Sequence, residues 1–285
     1  MKFDPTLPDD SANVSATHPL REAATLIVGI AVAAALVFVA IAAMVELLIP
    51  HISPALEARI FSRSEVVAAL LPDMEESLDS RTAAVDGLLD RLADHWPDNP
   101  YMLRVAIIDD ATPNAFAFPG GLVAVTTGLL SEIASDNELA FVLAHEIGHF
   151  RNRDHLRGLG RGLAFGVVVG VFGVGGSAGA AELAGAAGWF AAAGFSRDQE
   201  NAADDFALAL VQAEYGHVGG AVNFFERLPK PDNAIEREIE GYLSTHPLSA
   251  ERIDAMLALV HERGWRSDGP LTPLSAALEA PAPGG

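Results

Sequence analysis

The longest apolar stretch of the chain lies near its amino terminus. Residues 23–45 contain no charged side chain in 23 positions, and the segment before them is polar, with Pro5, Pro8 and several aspartates. As a helix, 23 residues extend for roughly 35 Å, enough to cross the hydrocarbon layer of a bilayer. The run is longer than the apolar part of a typical signal peptide, and no basic segment precedes it. We therefore expect a disordered tail at 1–22 and an uncleaved transmembrane anchor at 23–47, with a cleaved signal peptide as the alternative.

After the anchor, apolar and polar residues alternate with the spacings of amphipathic helices and strands. Residues 64–96 alternate apolar and polar positions at helical spacing, which predicts one or two amphipathic helices with a break at Pro72. Residues 101–110 and 121–128 are rich in valine and isoleucine and predict strands. Between them, residues 114–121 alternate and then reach a Pro-Gly-Gly turn. The three segments together predict a short antiparallel meander.

A capped helix is predicted next. Ser135 and Glu138 have the spacing of a capping box, directly before the apolar run "FVLAHEIGHF" at 141–150. The helix is expected to cover residues 136–154. With several further helical patterns downstream and few strands, the fold class is α+β, mainly α, with a small antiparallel sheet and an N-terminal transmembrane helix.

The segment 162–194 is apolar but rich in glycine. Glycine is a poor helix former in water, whereas closely spaced small residues allow helices to pack tightly. A second membrane segment, an interfacial hairpin and a small-residue helix in the protein core all remain open for it. We expect one domain at 64–265 that contains this insert, and a disordered tail at 266–285, where the chain is rich in proline and alanine.

The amino-acid composition excludes several kinds of site and partner. The net charge of −20 disfavours phosphate, so nucleic acid is not expected as a partner. The sequence contains no cysteine, which excludes disulfides, thiol nucleophiles and cysteine-bound zinc. Half of the residues are hydrophobic, which is high for a soluble protein and favours membrane contact. Any metal has to be held by histidine, aspartate or glutamate.

The motif H-E-x-x-H lies in the middle of the predicted helix. His145 and His149 are four residues apart, so both rings lie on one helix face and can reach one metal ion. Glu146 is placed to reach a water molecule on that metal without binding the metal itself, as a general base does. Two structural histidines in an apolar helix are a weaker explanation, because each buried ring would need its own polar partner.

A catalytic zinc needs a third protein ligand, and two candidates remain. His155 has metzincin spacing, but Asn152 stands where that pattern has glycine, and Met256 lies far downstream in a predicted helix rather than in a methionine turn. The other candidate is Glu200 in "SRDQENAADDFAL", where Asp204 follows one turn later and could orient a ligand histidine.

Four motifs in order resemble one family. They are the "NAFAFPGG" segment, HEIGH, the S-R-x-x-E-x-x-A-D stretch, and T-H-P at 245–247 followed by Arg252. Over about residues 64–265 the chain resembles the HtpX-like gluzincin metalloendopeptidases, which include the CAAX prenyl protease, the mitochondrial Oma protease and bacterial envelope quality-control peptidases. A single clear anchor distinguishes this chain from the members with several spans and makes prenylated substrates doubtful.

The resemblance implies a zincin-like fold with one zinc ion per chain and assigns roles to residues. It implies His145, His149 and Glu200 as zinc ligands, Glu146 as catalytic base and Asp204 as a partner of a ligand histidine. His246 would be an oxyanion donor or a switchable fourth ligand, supported by Arg252. The segment that would bind substrate as an added strand consists of Asn114, Ala115, Phe116, Ala117 and Phe118.

These expectations combine into one function. The chain is expected to be a membrane-anchored zinc metalloendopeptidase that cleaves extended, unfolded or damaged polypeptides in membrane protein quality control. Its expected location is the bacterial inner membrane, single-pass, with the catalytic domain on the extracytoplasmic side. The alternatives are a latent or non-catalytic zinc-binding adaptor of the same fold, and a helical membrane-packing protein with fortuitous histidines.

Overall fold

The structure is a computed structural model that describes residues 19–61, 80–172, 194–221, 223, 245–246 and 250–279. Helices predominate in this part of the chain, and the strands form one small sheet. The helices are α1 (Pro19–Leu48), α2 (Pro54–Phe61), α3 (Ser80–Asp94), α4 (Thr127–Glu132), α5 (Asp136–Asn152), α6 (Asp154–Phe172), α7 (Arg197–Tyr215), α8 (Ala250–Glu262) and α9 (Ala276–Glu279), with a 3-10 turn at Ile49–His51. The strands are β1 (Arg104–Ile108), β2 (Ala115–Phe118) and β3 (Leu122–Thr126). The prediction of a mainly helical α+β chain is confirmed.

Helix α1 is the apolar helix predicted near the amino terminus. Within the described residues, one segment is long and apolar enough to cross a membrane, Pro19–His51, with a mean hydropathy of 2.9. No residue of α1 is buried. The helix begins at Pro19, so residues 19–22 of the expected tail are helical, while residues 1–18 lie outside the described residues.

Helix α6 packs along the end of α1. Gly160 makes this approach possible, because a Cβ atom on it would lie 2.3 Å from Val45 Cγ1. Next to this contact, Arg157 Nε donates to the Glu46 carboxylate at 2.9 Å. The helix includes residues 162–172 of the glycine-rich segment, and residues 173–193 lie outside the described residues.

The sheet differs from the predicted antiparallel meander because it is mixed. Its order is β1-β3-β2: β2 and β3 form an antiparallel hairpin, whereas β1 runs parallel to β3. Every residue of β3 is buried, and a strand that is apolar on both faces is stable in the centre of a sheet rather than at its edge. Among the described strands β2 pairs with β3 alone, so one of its sides is an edge.

Helix α5 forms over Asp136–Asn152, two residues shorter than the predicted 136–154. The Ser135 hydroxyl caps it by accepting a hydrogen bond from the Glu138 N–H at 3.3 Å. The Glu138 carboxylate accepts from the Ala134 N–H at 2.9 Å, one residue before the position that a capping box uses. The helix ends at Arg153, whose φ of 60° places it in the left-handed region.

The segment after residue 266 is ordered as far as Glu279, which corrects the expected tail. The Asp136 N–H donates to the Thr272 carbonyl at 2.9 Å, and the Thr272 N–H donates to Asn137 Oδ1 at 2.7 Å. Leu278 is buried in the core. Proline-rich composition suggested disorder, but these backbone hydrogen bonds and the buried leucine fix the segment against the start of α5. Residues 280–285 lie outside the described residues.

Candidate metal centre

The site begins on α5, where two buried histidines lie one turn apart. His145 and His149 are both fully buried, and their Nε2 atoms are 3.1 Å apart. That distance follows from the four-residue spacing on one helix face. Burial of two ring nitrogens this close together is unfavourable unless something polar or charged lies between them.

Helix α7 brings an acidic side chain to the same point. A Cβ atom on Gly148 would lie 2.7 Å from Ala203 Cα, so glycine is needed where α5 and α7 cross. Ser196 and Gln199 form a capping box at the start of α7, which fixes its first turn. Glu200 stands on that turn and directs its carboxylate between the two histidines, 3.4 Å from His145 Nε2 and 3.6 Å from His149 Nε2.

His246 completes the cluster from a distant part of the chain. Its Nδ1 atom lies 3.1 Å from His145 Nε2, 3.4 Å from His149 Nε2 and 3.1 Å from Glu200 Oε1. With the three distances above, the four groups are separated by 3.1–3.6 Å in all six pairings. Four ligands at zinc-like bond lengths on a tetrahedron are separated by roughly 3.4 Å. The donor set of imidazole nitrogen and carboxylate oxygen also suits zinc, so these residues fit the ion.

Two aspartates orient the histidine rings from outside. Asp204 Oδ1 lies 2.9 Å from His145 Nδ1, and Asp154 Oδ2 lies 3.0 Å from His149 Nδ1. A carboxylate on one ring nitrogen holds the proton there and leaves the other nitrogen free to bind a metal. Asp204 was predicted for this position. Asp154 was not, although it directly follows the end of the motif helix.

The pKa values of the two histidines are shifted in opposite directions by their surroundings. Burial lowers the pKa of His149 to about 3, despite its hydrogen bond to Asp154. Burial also opposes the protonation of His145, but the negative charges of Glu200 and Asp204 outweigh it and raise that pKa to about 9. The carboxylates of Glu200 and Asp204 have lowered pKa values, since hydrogen bonds and positive neighbours more than offset their burial. The cluster is therefore a place where buried acids stay ionised and attract positive charge.

Arg252 lies beneath the cluster. Its Nη2 donates to Asp204 Oδ1 at 2.8 Å, and its Nη1 contacts Glu200 Oε2. A third hydrogen bond joins its Nη1 to the His246 carbonyl at 3.4 Å. Arg252 was predicted to support His246, and the structure places it in contact with Asp204, Glu200 and the His246 carbonyl.

Glu146 lies beside the cluster without being part of it. It is fully buried, and its Oε2 accepts from the Ala117 N–H at 2.8 Å. Its Oε1 has no hydrogen-bond partner among the described residues and lies 3.4 Å from His246 Nε2. Burial raises the pKa of the Glu146 carboxyl, with smaller contributions from its neighbours. A carboxylate that is poorly solvated and has one free oxygen is suited to accept a proton.

The strand β2 runs past Glu146 with one edge unpaired among the described strands. Its Ala117 contacts Glu146, and Asn114, just before the strand, accepts from the Thr245 hydroxyl at 3.3 Å. Phe195 stacks on the His149 ring with centroids 3.9 Å apart. A small cavity opens here, and its lining comprises Phe116, Ala117, Gly158, Arg161, Gly194, Phe195 and Thr245. The predicted segment Asn114, Ala115, Phe116, Ala117 and Phe118 therefore lies along the edge nearest the cluster.

His155 does not join the cluster, which contradicts the metzincin alternative. Its Nε2 lies 2.9 Å from Glu57 Oε1, and its Nδ1 lies 3.3 Å from the His149 carbonyl oxygen. The chain turns at Arg153, so the ring of His155 is carried away from the convergence point. Of the two candidates for a third metal ligand, Glu200 lies in the cluster and His155 does not.

Comparison with known proteins agrees with this geometry. The model of peptidase family M48 matches residues 79–260. The chain belongs to peptidase family M48. The match includes both motif helices, α5 and α7, together with His246 and Arg252, so the whole cluster lies within the family's domain.

Curated relatives of the family are similar over part of their length. The mitochondrial metalloendopeptidase OMA1 of Schizosaccharomyces pombe is 31% identical over 152 residues, which is 52% of this chain and 43% of that protein. The metalloprotease YcaL of Escherichia coli is 31% identical over 157 residues, 54% of this chain and 59% of that protein. A protease HtpX homolog of Thermococcus kodakarensis is 38% identical over 113 residues, 38% of this chain and 34% of that protein. The chain thus spans between about a third and three fifths of these relatives.

Proposed function

We propose that the chain is a membrane-anchored zinc metalloendopeptidase that hydrolyses peptide bonds in extended polypeptides. The observation that carries the proposal is the convergence of His145, His149 and Glu200, with Glu146 beside them and its Oε1 without a hydrogen-bond partner in the part of the chain that the structure describes. Relatives named as metalloendopeptidase, metalloprotease and protease support it.

His145, His149 and Glu200 would hold one zinc ion per chain. Bound zinc supplies a Lewis acid that makes a water molecule more acidic and polarises a carbonyl. Glu146 accepts the proton of the attacking water on Oε1 and passes it to the leaving amine. The Ala117 N–H fixes the other Glu146 oxygen, so the carboxylate presents one defined acceptor. Asp204 and Asp154 keep the ring tautomers fixed during these steps.

The edge of β2 would bind the substrate. An extended peptide can add as a strand along the unpaired edge of β2, within residues 114–118, although the Ala117 N–H on this strand is already used by Glu146. One substrate side chain would enter the cavity beside Phe195. A segment that is already paired within a folded protein cannot also pair with β2, so unfolded or damaged polypeptides are the class that fits best. Membrane protein quality control is the process we propose for it.

The anchor would place this activity at a membrane. We propose a single-pass arrangement for α1 in a bacterial inner membrane, with the catalytic domain on the extracytoplasmic side. Helix α6 runs beside α1 and exposes Val167, Val169 and Val171, so its second half would also contact lipid. The acidic surface, with a net charge of −20, argues against nucleic acid as a partner.

A second candidate function is a latent or non-catalytic zinc-binding adaptor. It is favoured by the position of His246, whose Nδ1 stands at the fourth corner of the cluster. A catalytic zinc keeps that corner for water, so His246 has to withdraw for turnover. In an active enzyme, His246 would then serve as an oxyanion donor beside the substrate carbonyl.

The test is cleavage of casein by the full chain in detergent, with zinc content measured in the same samples. We expect cleavage by the wild type, and a loss of roughly 10²–10⁴-fold in Glu146→Gln, with zinc retained in both. Zinc without cleavage in either protein, followed by activity on His246→Ala, would favour the latent form. Absence of stoichiometric zinc in the wild type would refute the metal centre.

A further inference from the structure

We propose that Glu57 is a positioning residue of the active site. Through Glu57, helix α2 would set the placement of helix α5, which carries His145 and His149, relative to β2, the proposed substrate strand. The inference rests on the proposed peptidase function. It concerns one buried carboxylate and its donors, next to the apolar helix α1, that the proposed mechanism does not use.

Glu57 is a fully buried carboxylate surrounded by donors. Gly120 N–H donates to its Oε1 at 2.8 Å, and His155 Nε2 lies 2.9 Å from the same oxygen. Arg153 Nη2 donates to its Oε2 at 3.1 Å, and the Tyr101 hydroxyl donates to Oε2 at 3.4 Å. Burial by itself raises the pKa of Glu57, but these neighbours, His155 foremost, lower it overall, so the group is ionised.

One side of this cluster is the end of the metal-binding helix. Arg153 is the non-glycine residue with positive φ among the described residues, and its N–H caps α5 on the carbonyls of His149 and Phe150. Its Nη1 also donates to the carbonyls of Ile49 (3.0 Å) and Ile52, just after the anchor. Since His155 contacts the His149 carbonyl, Glu57 is two contacts away from the backbone of a metal-cluster histidine.

The other side is the end of the substrate strand. Gly120 and Gly121 form the turn after β2 with φ of 91° and 86°, and a Cβ atom on Gly120 would lie 3.1 Å from Phe61 Cβ. Phe61 of α2 also packs edge-on against Phe118, with centroids 6.2 Å apart. Helix α2 therefore contacts Phe118, the last residue of β2, and the glycine turn that follows it. The same strand carries Ala117, which contacts Glu146.

The cost of burying the Glu57 carboxylate favours a positioning role over one that only attaches α2 to the domain. A transmembrane anchor needs no buried charge at its junction with a domain, and a buried carboxylate is destabilising unless its partners are complete. Here two of the partners, Arg153 and Gly120, lie at the ends of α5 and β2, which both contribute to the site. Misplacement of catalytic groups by about 1 Å lowers rates by up to about 10²-fold, so such a bridge has a direct effect on turnover.

The experiment compares Glu57→Gln with Glu46→Gln in the full chain in detergent. Both changes remove one acid that joins the anchor region to the domain, but Glu46 is exposed and pairs with Arg157 at the surface. Zinc content, melting temperature, and kcat and KM on a fluorogenic peptide are measured well below the melting point. We expect Glu57→Gln to keep its zinc and lose about 10- to 100-fold in kcat/KM, mainly through KM, and Glu46→Gln to match the wild type.

A second readout does not depend on activity. Amide hydrogen exchange of a peptide that covers residues 115–121 should accelerate in Glu57→Gln, because the strand end loses its support, and stay unchanged in Glu46→Gln. Accelerated exchange with an inactive wild type would support the coupling while refuting the proposed peptidase. Wild-type kinetics and wild-type exchange in a folded, zinc-loaded Glu57→Gln would overturn the inference.

Arg153→Lys covers the case in which Glu57→Gln does not fold. Lysine keeps one positive charge but cannot bridge Glu57 and the carbonyls of Ile49 and Ile52 together. We expect a smaller change in the same direction, in KM and in exchange at 115–121. If both measurements equal those of the wild type, the coupling does not exist.

Discussion

Two buried clusters of histidine and carboxylate lie on either side of the carboxyl end of α5, and their arrangements are opposite. In the first, the ring nitrogens of His145, His149 and His246 point inward, and aspartates hold two of the rings from outside. In the second, the Glu57 carboxylate is at the centre, and His155 and Arg153 donate to it from the rim. The same residue types thus build a candidate cation site in one cluster and a closed ion-pair cluster in the other.

The difference shows what distinguishes a metal site from a structural charge cluster. Around Glu57 each carboxylate oxygen has donors, so the charge is satisfied within the protein. At the first cluster, ring nitrogens and carboxylate oxygens face one another at 3.1–3.6 Å, and Glu146 Oε1 has no hydrogen-bond partner among the described residues. Metal-binding atoms that converge on one point are arranged to hold a cation, whereas donors that converge on one carboxylate are not.

The largest expected effect is on zinc content, which a substitution in the first cluster should change and one in the second should not. Glu200→Gln removes the negative ligand and should abolish stoichiometric zinc and, with it, peptidase activity. His155→Gln, which changes the other cluster, should keep one zinc per chain while its melting temperature falls, because the buried Glu57 carboxylate loses its contact with the His155 ring. Metal analysis of the purified proteins checks this. Loss of zinc in His155→Gln with retention in Glu200→Gln would restore the metzincin arrangement.

The next effect is that of the orienting aspartates. Asp154→Asn and Asp204→Asn should each weaken zinc binding by about 10–100-fold without abolishing it, because the ligand rings lose their fixed tautomer. Competition with a chromogenic chelator measures the affinity. Asp198→Asn, an exposed change in the first turn of α7, is the matched control and should leave the affinity unchanged. Equal affinities for all three variants would mean that the aspartates only stabilise the fold.

Local patterns in the sequence were sufficient for α5, its cap and the H-E-x-x-H geometry, because these depend on neighbours within one helix. Helix spacing made Glu200 a candidate ligand, with Asp204 one turn later. The family resemblance chose Glu200 over His155 and added roles for His246 and Arg252, because their convergence depends on long-range packing such as the crossing of α5 and α7 at Gly148. The mixed sheet was missed because strand order is set by long-range burial of β3.

Asp154 and Glu57 were missed for different reasons. Asp154 follows a left-handed residue, Arg153, and no helical periodicity indicates where a side chain points after such a turn. Glu57 lies in a short segment between the anchor and the domain, where an isolated glutamate is normally exposed. Its burial depends on partners between 44 and 98 residues away, which spacing alone does not reveal.

The smallest expected effect is that of Tyr101→Phe, which removes the longest hydrogen bond to Glu57, at 3.4 Å. The ring still packs against Phe150 and His155, so only the hydroxyl contribution is lost. We expect unfolding to become easier by about 0.5–1.5 kcal/mol, with zinc affinity unchanged, because three other donors keep the carboxylate ionised. Thermal unfolding with and without a chelator measures both quantities. A drop in zinc affinity as large as that of Asp154→Asn would show that the two clusters are not independent and that the charge at Glu57 reaches the metal centre directly.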